Sequence, residues 1–265
     1  MTHAELEAIC VAAAEGGARL LRELFGRSRE ISFKGRNDLV TDGDRASEEH
    51  ILGLLRERAP GTAILSEESG ESGKGEVRFI VDPLDGTTNY AHGIPIFSCT
   101  VAAEENGVPV AGCTVDPMRG ETYRAHRGGG AFLNGARLRA SHAEKLSDAV
   151  VCSGFPADKG GKLGEMIAAF GRFTGVARGT RRLGSAALDL AYVAAGRLDV
   201  YYEQGLKPWD MAAGIVLAAE AGAVVSRYDG SPAIAEKGEV MACSPALAME
   251  VRGVLSESRA RPWKP

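Results

Sequence analysis

In the first half of the chain, some segments space their hydrophobic residues as helices do, and others as strands do. Apolar residues recur at helical spacing over residues 4–25, which predicts an amphipathic helix that stops at Gly26. A second helix is predicted to begin near Thr41 or Asp42, whose side chains can cap free N–H groups, and to run to Pro60. Segments that predict strands are 31–33, 63–65, 78–81, 97–103, 108–115, 121–126 and 131–133.

The second half of the chain alternates between strand-like and helix-like segments. Strands are predicted at 149–152, 199–202, 223–228 and 239–243, and helices at 163–173, 185–195, 209–221 and 245–255. The change of pattern predicts an α+β fold with two subdomains. The β-rich N-terminal subdomain would span residues 1–143, and the alternating α/β C-terminal subdomain residues 144–265.

Composition narrows the class of protein. With 265 residues, 45% of them hydrophobic and 25% charged, the chain is typical of a soluble globular protein. It has no apolar run of the ~20 residues that span a membrane, and its acidic N-terminus does not resemble a secretory signal, so a cytoplasmic location is expected. The five scattered cysteines predict free thiols. A net charge of -4 gives no reason to expect a nucleic-acid partner.

The segment from Asp82 to Asn89, D-P-L-D-G-T-T-N, carries the strongest chemical signal. Asp82 and Asp85 follow an apolar strand, and Pro83 between them fixes a turn, so both carboxylates can converge just beyond the strand end. The small residues 86–88 leave backbone N–H groups open to an anion. Carboxylates beside an anion site indicate a cation between them, and Mg²⁺ has that preference. Taken alone, the same residues are also explained by turn formation.

Further acidic residues could join this site. Glu67 follows a predicted strand, Asp44 lies at the start of the second predicted helix, and Asp210 starts an Ala-rich helix. Helix capping explains Asp44 and Asp210 equally well when each is considered by itself. Only their combination with Asp82 and Asp85 favours a metal site.

Taken together, these motifs resemble those of the inositol monophosphatase family. The resemblance rests on residues 82–89 and 209–214, which are similar to its two signature motifs, and extends to 38–41, 67–69, 184–187 and 201–205. It implies a layered α/β/α/β/α sandwich of the sugar phosphatase type, usually a homodimer. It also implies a lithium-sensitive, Mg²⁺-dependent phosphatase.

Carried over by position, the resemblance implies a role for each site residue. The implied Mg²⁺ ligands are Glu67, Asp82, Asp85, Asp210 and the backbone carbonyl of Leu84. The implied substrate contacts are Gly86, Thr87, Thr88, Ala186, Glu203 and Asp210. Thr87 with Glu67 would orient and deprotonate the attacking water, and Asp44 would support a further metal through water. Lys34 matches a basic residue of a mobile loop.

The implied mechanism agrees with elementary electrostatics. Four carboxylates in one site raise each other's pKa and cannot all stay ionised without cations. Two or three Mg²⁺ ions would neutralise them, and one ion would activate a water for direct attack on phosphorus, with no phosphoenzyme. Li⁺ is expected to inhibit uncompetitively.

Two alternatives stay open at this stage. The substrate could be fructose 1,6-bisphosphate, histidinol phosphate or a nucleotide 3′-phosphate in place of an inositol monophosphate. An adenine nucleotide would need stacking aromatics, whereas Tyr201 and Tyr202 are explained as strand residues. The second alternative is an accessory protein of the transcription machinery, as some bacterial relatives are, although the intact set of acidic residues favours catalysis.

Overall fold

Two large sheets and the helices packed on them make up the fold. The computed structural model describes residues 1–27, 31–35, 38–156 and 161–264, and their side chains except those of 31–39. The helices are α1 (His3–Leu24), α2 (Asp42–Arg58), α3 (Thr87–Ala91), α4 (Leu163–Val176), α5 (Ala186–Ala194), α6 (Pro208–Glu220) and α7 (Ala248–Ala260). Short 3₁₀ turns occupy Leu146–Asp148, Ala235–Lys237 and Pro245–Leu247.

The strands form one hairpin and two sheets. A hairpin pairs β1 (Ile31–Gly35) with β2 (Asp38–Thr41). The first sheet contains β3 (Ala63–Ser66), β4 (Gly70–Ser72), β5 (Val77–Asp85), β6 (Ser98–Glu105), β7 (Val108–Asp116), β8 (Glu121–His126), β9 (Gly130–Leu133) and β10 (Ala136–Arg137). The second contains β11 (Val150–Ser153), β12 (Gly179–Arg181), β13 (Val200–Gln204), β14 (Val224–Ser226) and β15 (Glu239–Cys243).

Strand order differs between the two sheets. The eight-stranded sheet has the order β10-β9-β8-β7-β6-β5-β3-β4 and is antiparallel except where β3 runs parallel to β5. The five-stranded sheet has the order β12-β11-β13-β15-β14, and β11 lies parallel to both its neighbours. The antiparallel meander from β5 to β9 agrees with the β-rich pattern predicted for the first half of the sequence.

Alternation of side chains along the strands creates three cores and five layers. In β5, Phe79 and Val81 pack with α1 and α2, whereas Ile80 packs on the opposite face with α5 and α6. In β13, Tyr201 faces α5 and α6, whereas Tyr202 faces α4 and α7. The helices α5 and α6 are therefore sandwiched between the two sheets. The predicted α/β/α/β/α sandwich is confirmed.

Close contact between the middle helices and the first sheet depends on glycine. A Cβ added at Gly112 of β7 would lie 2.7 Å from Cα of Ala213 on α6. A Cβ added at Gly214 of α6 would lie 2.4 Å from Cδ1 of Leu190 on α5. The missing side chains let α6 pack against both neighbours.

Several predicted boundaries need correction. Strand β5 continues to Asp85 instead of ending at Val81, and α6 begins at Pro208, whose fixed φ and missing N–H suit the first helical turn. The last helix begins at Ala248 after a 3₁₀ turn, not at Pro245. The short elements β2, β4, α3, β10 and β12 have no periodic pattern long enough to predict them.

The proposed division at residues 143 and 144 falls between β10 and β11. Because α5 and α6 of the second half cover a face of the first sheet, the halves share one core. The division into subdomains stays a prediction. In the part of the chain that the structure describes, no helix is long and apolar enough to cross a membrane.

Candidate active site

A bulge in β5 brings the two aspartates of the D-P-L-D segment together. Asp82 lies opposite Thr100 and Asp85 lies opposite Ser98 on β6, so β5 has one residue more than β6 between these pairs. Side chains three residues apart in a regular strand point to opposite faces. The extra residue removes that difference. Both carboxylates therefore converge inside the strand, not beyond its end as the sequence suggested.

A third aspartate reaches this point from the other half of the chain. Asp210 lies in the first turn of α6, and one carboxylate oxygen from each of Asp82, Asp85 and Asp210 lies within 4.8 Å of the others. Asp210 is the third residue of α6, and it accepts a hydrogen bond from the N–H of Lys207, the residue before the helix, at 2.7 Å. Glu67 follows β3, and its carboxyl lies beside that of Asp82.

Burial and mutual repulsion dominate the electrostatics of these acids. Burial raises the pKa of Asp82 well above its usual range, and the neighbouring Glu67 and Asp85 raise it further. The pKa of Asp210 is likewise raised well above its usual range, first by desolvation and then by Asp85. Among the described residues, no Lys or Arg forms an ion pair with Asp82, Asp85 or Asp210.

This donor set fits a hard divalent cation. Carboxylate oxygens are the preferred protein ligands of Mg²⁺, and a cation would offset the repulsion between the three aspartates, for which the described residues provide no basic ion-pair partner. The carbonyl of Leu84 belongs to the same bulge and accepts a hydrogen bond from the Thr87 hydroxyl at 3.0 Å.

Asp85 is held by hydrogen bonds from an element distant in sequence. Ser185 Oγ donates to its carboxylate at 2.5 Å, and the N–H groups of Ala187 and Ala186 donate at 2.8 and 3.3 Å. Ser98 Oγ adds a longer contact of 3.4 Å. Burial raises the pKa of Asp85 above its usual value, and these hydrogen bonds counter part of that rise. Asp85 thus caps the first turn of α5 from outside that helix.

Thr87 and Asp44 form a second group beside the acids. The hydroxyl of Thr87 lies 3.4 Å from Oδ1 of Asp44. Oδ2 of Asp44 accepts hydrogen bonds from the N–H and the hydroxyl of Thr41, both at 2.7 Å, in the capping box of α2. Burial raises the pKa of Asp44 to about 6, although these bonds oppose the shift. Asp44 is therefore both a helix cap and a neighbour of Thr87.

A cleft of about 830 Å³ opens over the acidic cluster. Gly86, Thr88 and Ala186 line it, as do Glu67, Thr87 and Glu203. Gly86 has φ 95°, and a Cβ there would lie 3.1 Å from two backbone carbonyls, so the position requires glycine. The N–H of Ala186 is directed to Asp85, which limits what it can offer a ligand. The Lys34 side chain lies outside those the structure describes.

Glu203 lies buried in the wall of the cleft. It accepts a hydrogen bond from the Tyr201 hydroxyl at 2.7 Å, and burial raises its pKa to about 7. A Cβ at Gly154 would lie 1.9 Å from Oε2 of Glu203, so a larger residue at position 154 would displace this carboxyl. Asp189 also lines the cleft, and its Oδ1 is buried without a hydrogen-bond partner.

Ten of the residues named from the sequence line this one cleft, Asp44 lies next to it beside Thr87, and Lys34 falls outside the described side chains, while their roles stay predictions. Sequence reasoning missed Ser185, Gly154 and Asp189. Ser185 and Asp189 belong to the G-S-A-A-L-D stretch, where the first four residues carried the resemblance. Gly154 lies outside any motif, and no signal in the sequence could have identified it.

Comparison with known proteins adds independent evidence. The model of the inositol monophosphatase family matches residues 3–260. An inositol-1-monophosphatase from Mesorhizobium japonicum is 44% identical over 91% of this chain and 92% of its own length. Nus factor SuhB from Pseudomonas aeruginosa is 42% identical over 92% of this chain and 96% of its own. The crystal structure of extragenic suppressor protein suhB from Bartonella henselae matches with a TM-score of 0.90 and 39% identity, covering 94% and 98% of the two chains.

Proposed function

The chain belongs to the inositol monophosphatase family, and we propose that it is a cytoplasmic, Mg²⁺-dependent phosphomonoesterase that hydrolyses inositol monophosphate to inositol and phosphate. Membership of this family supports phosphatase activity. One structural observation carries the proposal: three aspartates from two halves of the chain converge beneath a cleft, without basic partners among the described residues.

The residues that would hold Mg²⁺ are Glu67, Asp82, Asp85, Asp210 and the carbonyl of Leu84. When bound, Mg²⁺ supplies positive charge that offsets these acids, polarises phosphoryl oxygens and acidifies water. Two or three ions are proposed because one or two carboxylates usually hold each Mg²⁺. Asp85 enters this site already oriented by α5, since Ser185 and Ala187 hold its carboxylate.

The proton of the attacking water is assigned to Thr87 and its neighbours. In our proposal water attacks phosphorus, the ester P–O bond breaks, and the leaving alkoxide takes a proton from solvent. Thr87 accepts the proton of the attacking water while its own proton passes to Asp44, 3.4 Å away. Glu67 is proposed to orient the attacking water together with Thr87. The backbone N–H groups of residues 86–88 are proposed to hold the phosphate.

The polyol is proposed to contact Glu203, Ala186 and Asp210. A buried carboxyl beside the phosphate would repel most substrates, but a polyol supplies hydroxyl donors that offset that repulsion. The pKa of Glu203, about 7, makes its acceptor strength depend on pH near neutrality. Fructose 1,6-bisphosphate and nucleotide 3′-phosphates carry fewer free hydroxyls than an inositol monophosphate, and histidinol phosphate carries none. A homodimer and uncompetitive inhibition by Li⁺ complete the proposal.

The test is phosphate release from a panel of inositol, sugar, histidinol and nucleotide phosphates with Mg²⁺ present. Inositol 1-phosphate is expected to have the highest kcat/KM, and EDTA is expected to abolish turnover. The matched protein control is Asp210→Asn, which should lose most activity and remain folded by circular dichroism. Full turnover in excess EDTA would contradict the metal site, and a preferred substrate other than an inositol phosphate would contradict the assigned substrate.

A role in transcription is a second candidate, because several relatives of similar identity are named Nus factor SuhB. This role does not require catalysis. In a deletion strain of the source organism, Asp210→Asn should fail to restore growth if phosphatase activity is the essential function. Full complementation by this inactive variant would favour the binding role.

A further inference from the structure

Arg78, at the start of β5, contacts carboxylates from three different elements. Its Nε donates to Oε1 of Glu104 on β6 at 2.5 Å, and its Nη2 donates to Glu236. Its Nη1 lies 3.9 Å from Oε1 of Glu71 on β4. Glu104 is buried, whereas the side chains of Glu71 and Glu236 are 66% and 41% exposed. Neutralising Glu104 would by itself explain an arginine here, but it would not explain the contact with Glu236.

Glu236 belongs to the opposite half of the molecule. It lies in the 3₁₀ turn Ala235–Lys237, which precedes β15 and forms part of the cleft wall. The ion pair between Arg78 and Glu236 therefore connects the eight-stranded sheet to the C-terminal half of the chain. The two residues are separated by 158 positions in the chain.

The turn that carries Glu236 is fixed to the segment before α6. The carbonyl of Gly238 accepts hydrogen bonds from the N–H groups of Gly205 and Leu206, at 2.8 and 3.1 Å. Gly238 has φ 62°, and a Cβ there would lie 2.4 Å from the carbonyl oxygen of Leu206. Only glycine allows this close approach, which together with the two hydrogen bonds holds the turn against the segment.

The same segment leads directly to the third aspartate. Residue 207 follows Leu206, and its N–H donates to the carboxylate of Asp210 at 2.7 Å. At the other end, β5 runs from Arg78 to Asp82 and Asp85. Arg78 thus connects the strand that carries two of the acids to the segment that carries the third.

We propose that Arg78 and Glu236 are positioning residues, which set the distance of Asp210 from Asp82 and Asp85 and so the affinity for Mg²⁺. The inference rests on the proposed function, since it assumes that these acids bind the metal. Neither residue is assigned a contact with the metal or with the reacting atoms. Their effect passes through the turn and the segment 205–210.

Glu236→Gln is the test variant, because it breaks the connection and leaves the buried pair of Arg78 with Glu104 intact. Glu71→Gln is the matched control: it removes another carboxylate near the same arginine, but one on the same sheet. Isothermal titration of the apo protein with Mg²⁺ alone measures affinity without substrate. Glu236→Gln should raise the Mg²⁺ Kd about two- to fivefold, the range of an exposed ion pair, and Glu71→Gln should leave it unchanged.

A double-mutant cycle tests that the two residues act together. Arg78→Lys keeps a charge for Glu104 but loses the planar fork that reaches two carboxylates. Combining it with Glu236→Gln should add no further loss of Mg²⁺ affinity. Additive losses, or an unchanged Kd in Glu236→Gln, would overturn the positioning role. So would a raised KM at saturating Mg²⁺ with normal Mg²⁺ affinity, because Glu236 would then contact substrate directly.

Failure of the proposed function gives a different result. A wild-type protein that neither binds Mg²⁺ nor releases phosphate would overturn the phosphatase assignment, and the positioning role with it. The positioning role alone would be overturned if the wild-type protein binds Mg²⁺ and releases phosphate, and Glu236→Gln has the same Mg²⁺ Kd as the wild type.

Discussion

Asp82 and Asp85 belong to one motif, yet their surroundings differ. Asp82 is surrounded by other acids and accepts one backbone hydrogen bond, from Leu84 at 3.0 Å. Asp85 has donors on two sides, including Ser185 and the first turn of α5. Without metal, the charge on Asp82 therefore destabilises the fold, whereas the carboxylate of Asp85 also holds a helix in place.

The two aspartates should respond in opposite ways to the same substitution. In EDTA, Asp82→Asn should raise the unfolding temperature, because it removes a buried charge that repels its neighbours. Asp85→Asn should lower it, because hydrogen bonds to a charged group are worth about 1.5–3 kcal/mol each. Differential scanning calorimetry with and without Mg²⁺ measures both effects. Both variants should lose the stabilisation that Mg²⁺ gives the wild type. Equal shifts of the unfolding temperature in the two variants in EDTA would contradict the capping role of Asp85.

Glu203 is a buried acid whose environment suits hydroxyl recognition. Its partner Tyr201 donates to one carboxylate oxygen at 2.7 Å, and burial holds its pKa at about 7. A protonated carboxyl is a weaker acceptor than a carboxylate. Affinity for a polyol that donates to Glu203 should therefore increase as the pH rises through 7.

Substitution of Glu203 should separate polyol binding from metal chemistry. Glu203→Gln should raise KM for inositol 1-phosphate about tenfold, since a charge-assisted hydrogen bond is lost. KM for a simple phosphate ester without hydroxyls should stay the same. In the wild type, KM for inositol 1-phosphate divided by KM for the simple ester should fall as the pH rises through 7. In the variant this ratio should not change with pH. An equal loss on both substrates would assign Glu203 to the metal site or the fold.

At the scale of elements, long amphipathic helices were easier to predict than the site-bearing strand. The predicted helix 4–25 corresponds to α1, because an apolar stripe and a capping box define it locally. The bulge in β5 depends on pairing with β6 and leaves no periodic signal before the partner is known. The sequence therefore identified Asp82 and Asp85 but misplaced them beyond the strand.

Two glycines with different surroundings should respond in opposite ways to replacement by alanine. Gly112→Ala should lower the free energy of unfolding by about 1–3 kcal/mol, because its Cβ would lie 2.7 Å from Cα of Ala213. Gly53→Ala, on an exposed face of α2 with nothing near its Cβ, should raise it by about 0.5–1 kcal/mol. Urea denaturation of both variants measures the difference. A neutral Gly112→Ala would show that α6 can shift away from the sheet.

At the scale of the whole molecule, the site is assembled from elements far apart in the chain. The motifs identified the acids because short segments carry them. The residues that orient them, such as Ser185 and Arg78, contact partners about 100 or more positions away, and their own sequence neighbourhoods do not reveal those partners. Such contacts follow from the fold, so a single sequence cannot show them.

The buried middle layer also affects how the protein is made. Residues 63–137 form the eight-stranded sheet. Helix α6, which covers the face of this sheet opposite α1 and α2, ends only at Glu220. A ribosome that adds about 5–20 residues per second needs roughly 4–17 s to reach that point. Until then Ile80, Ala102 and Tyr123 lack the cover that α6 gives them in the folded protein. The nascent chain therefore presents an apolar sheet surface for seconds, and chaperones that bind such surfaces have that interval in which to act.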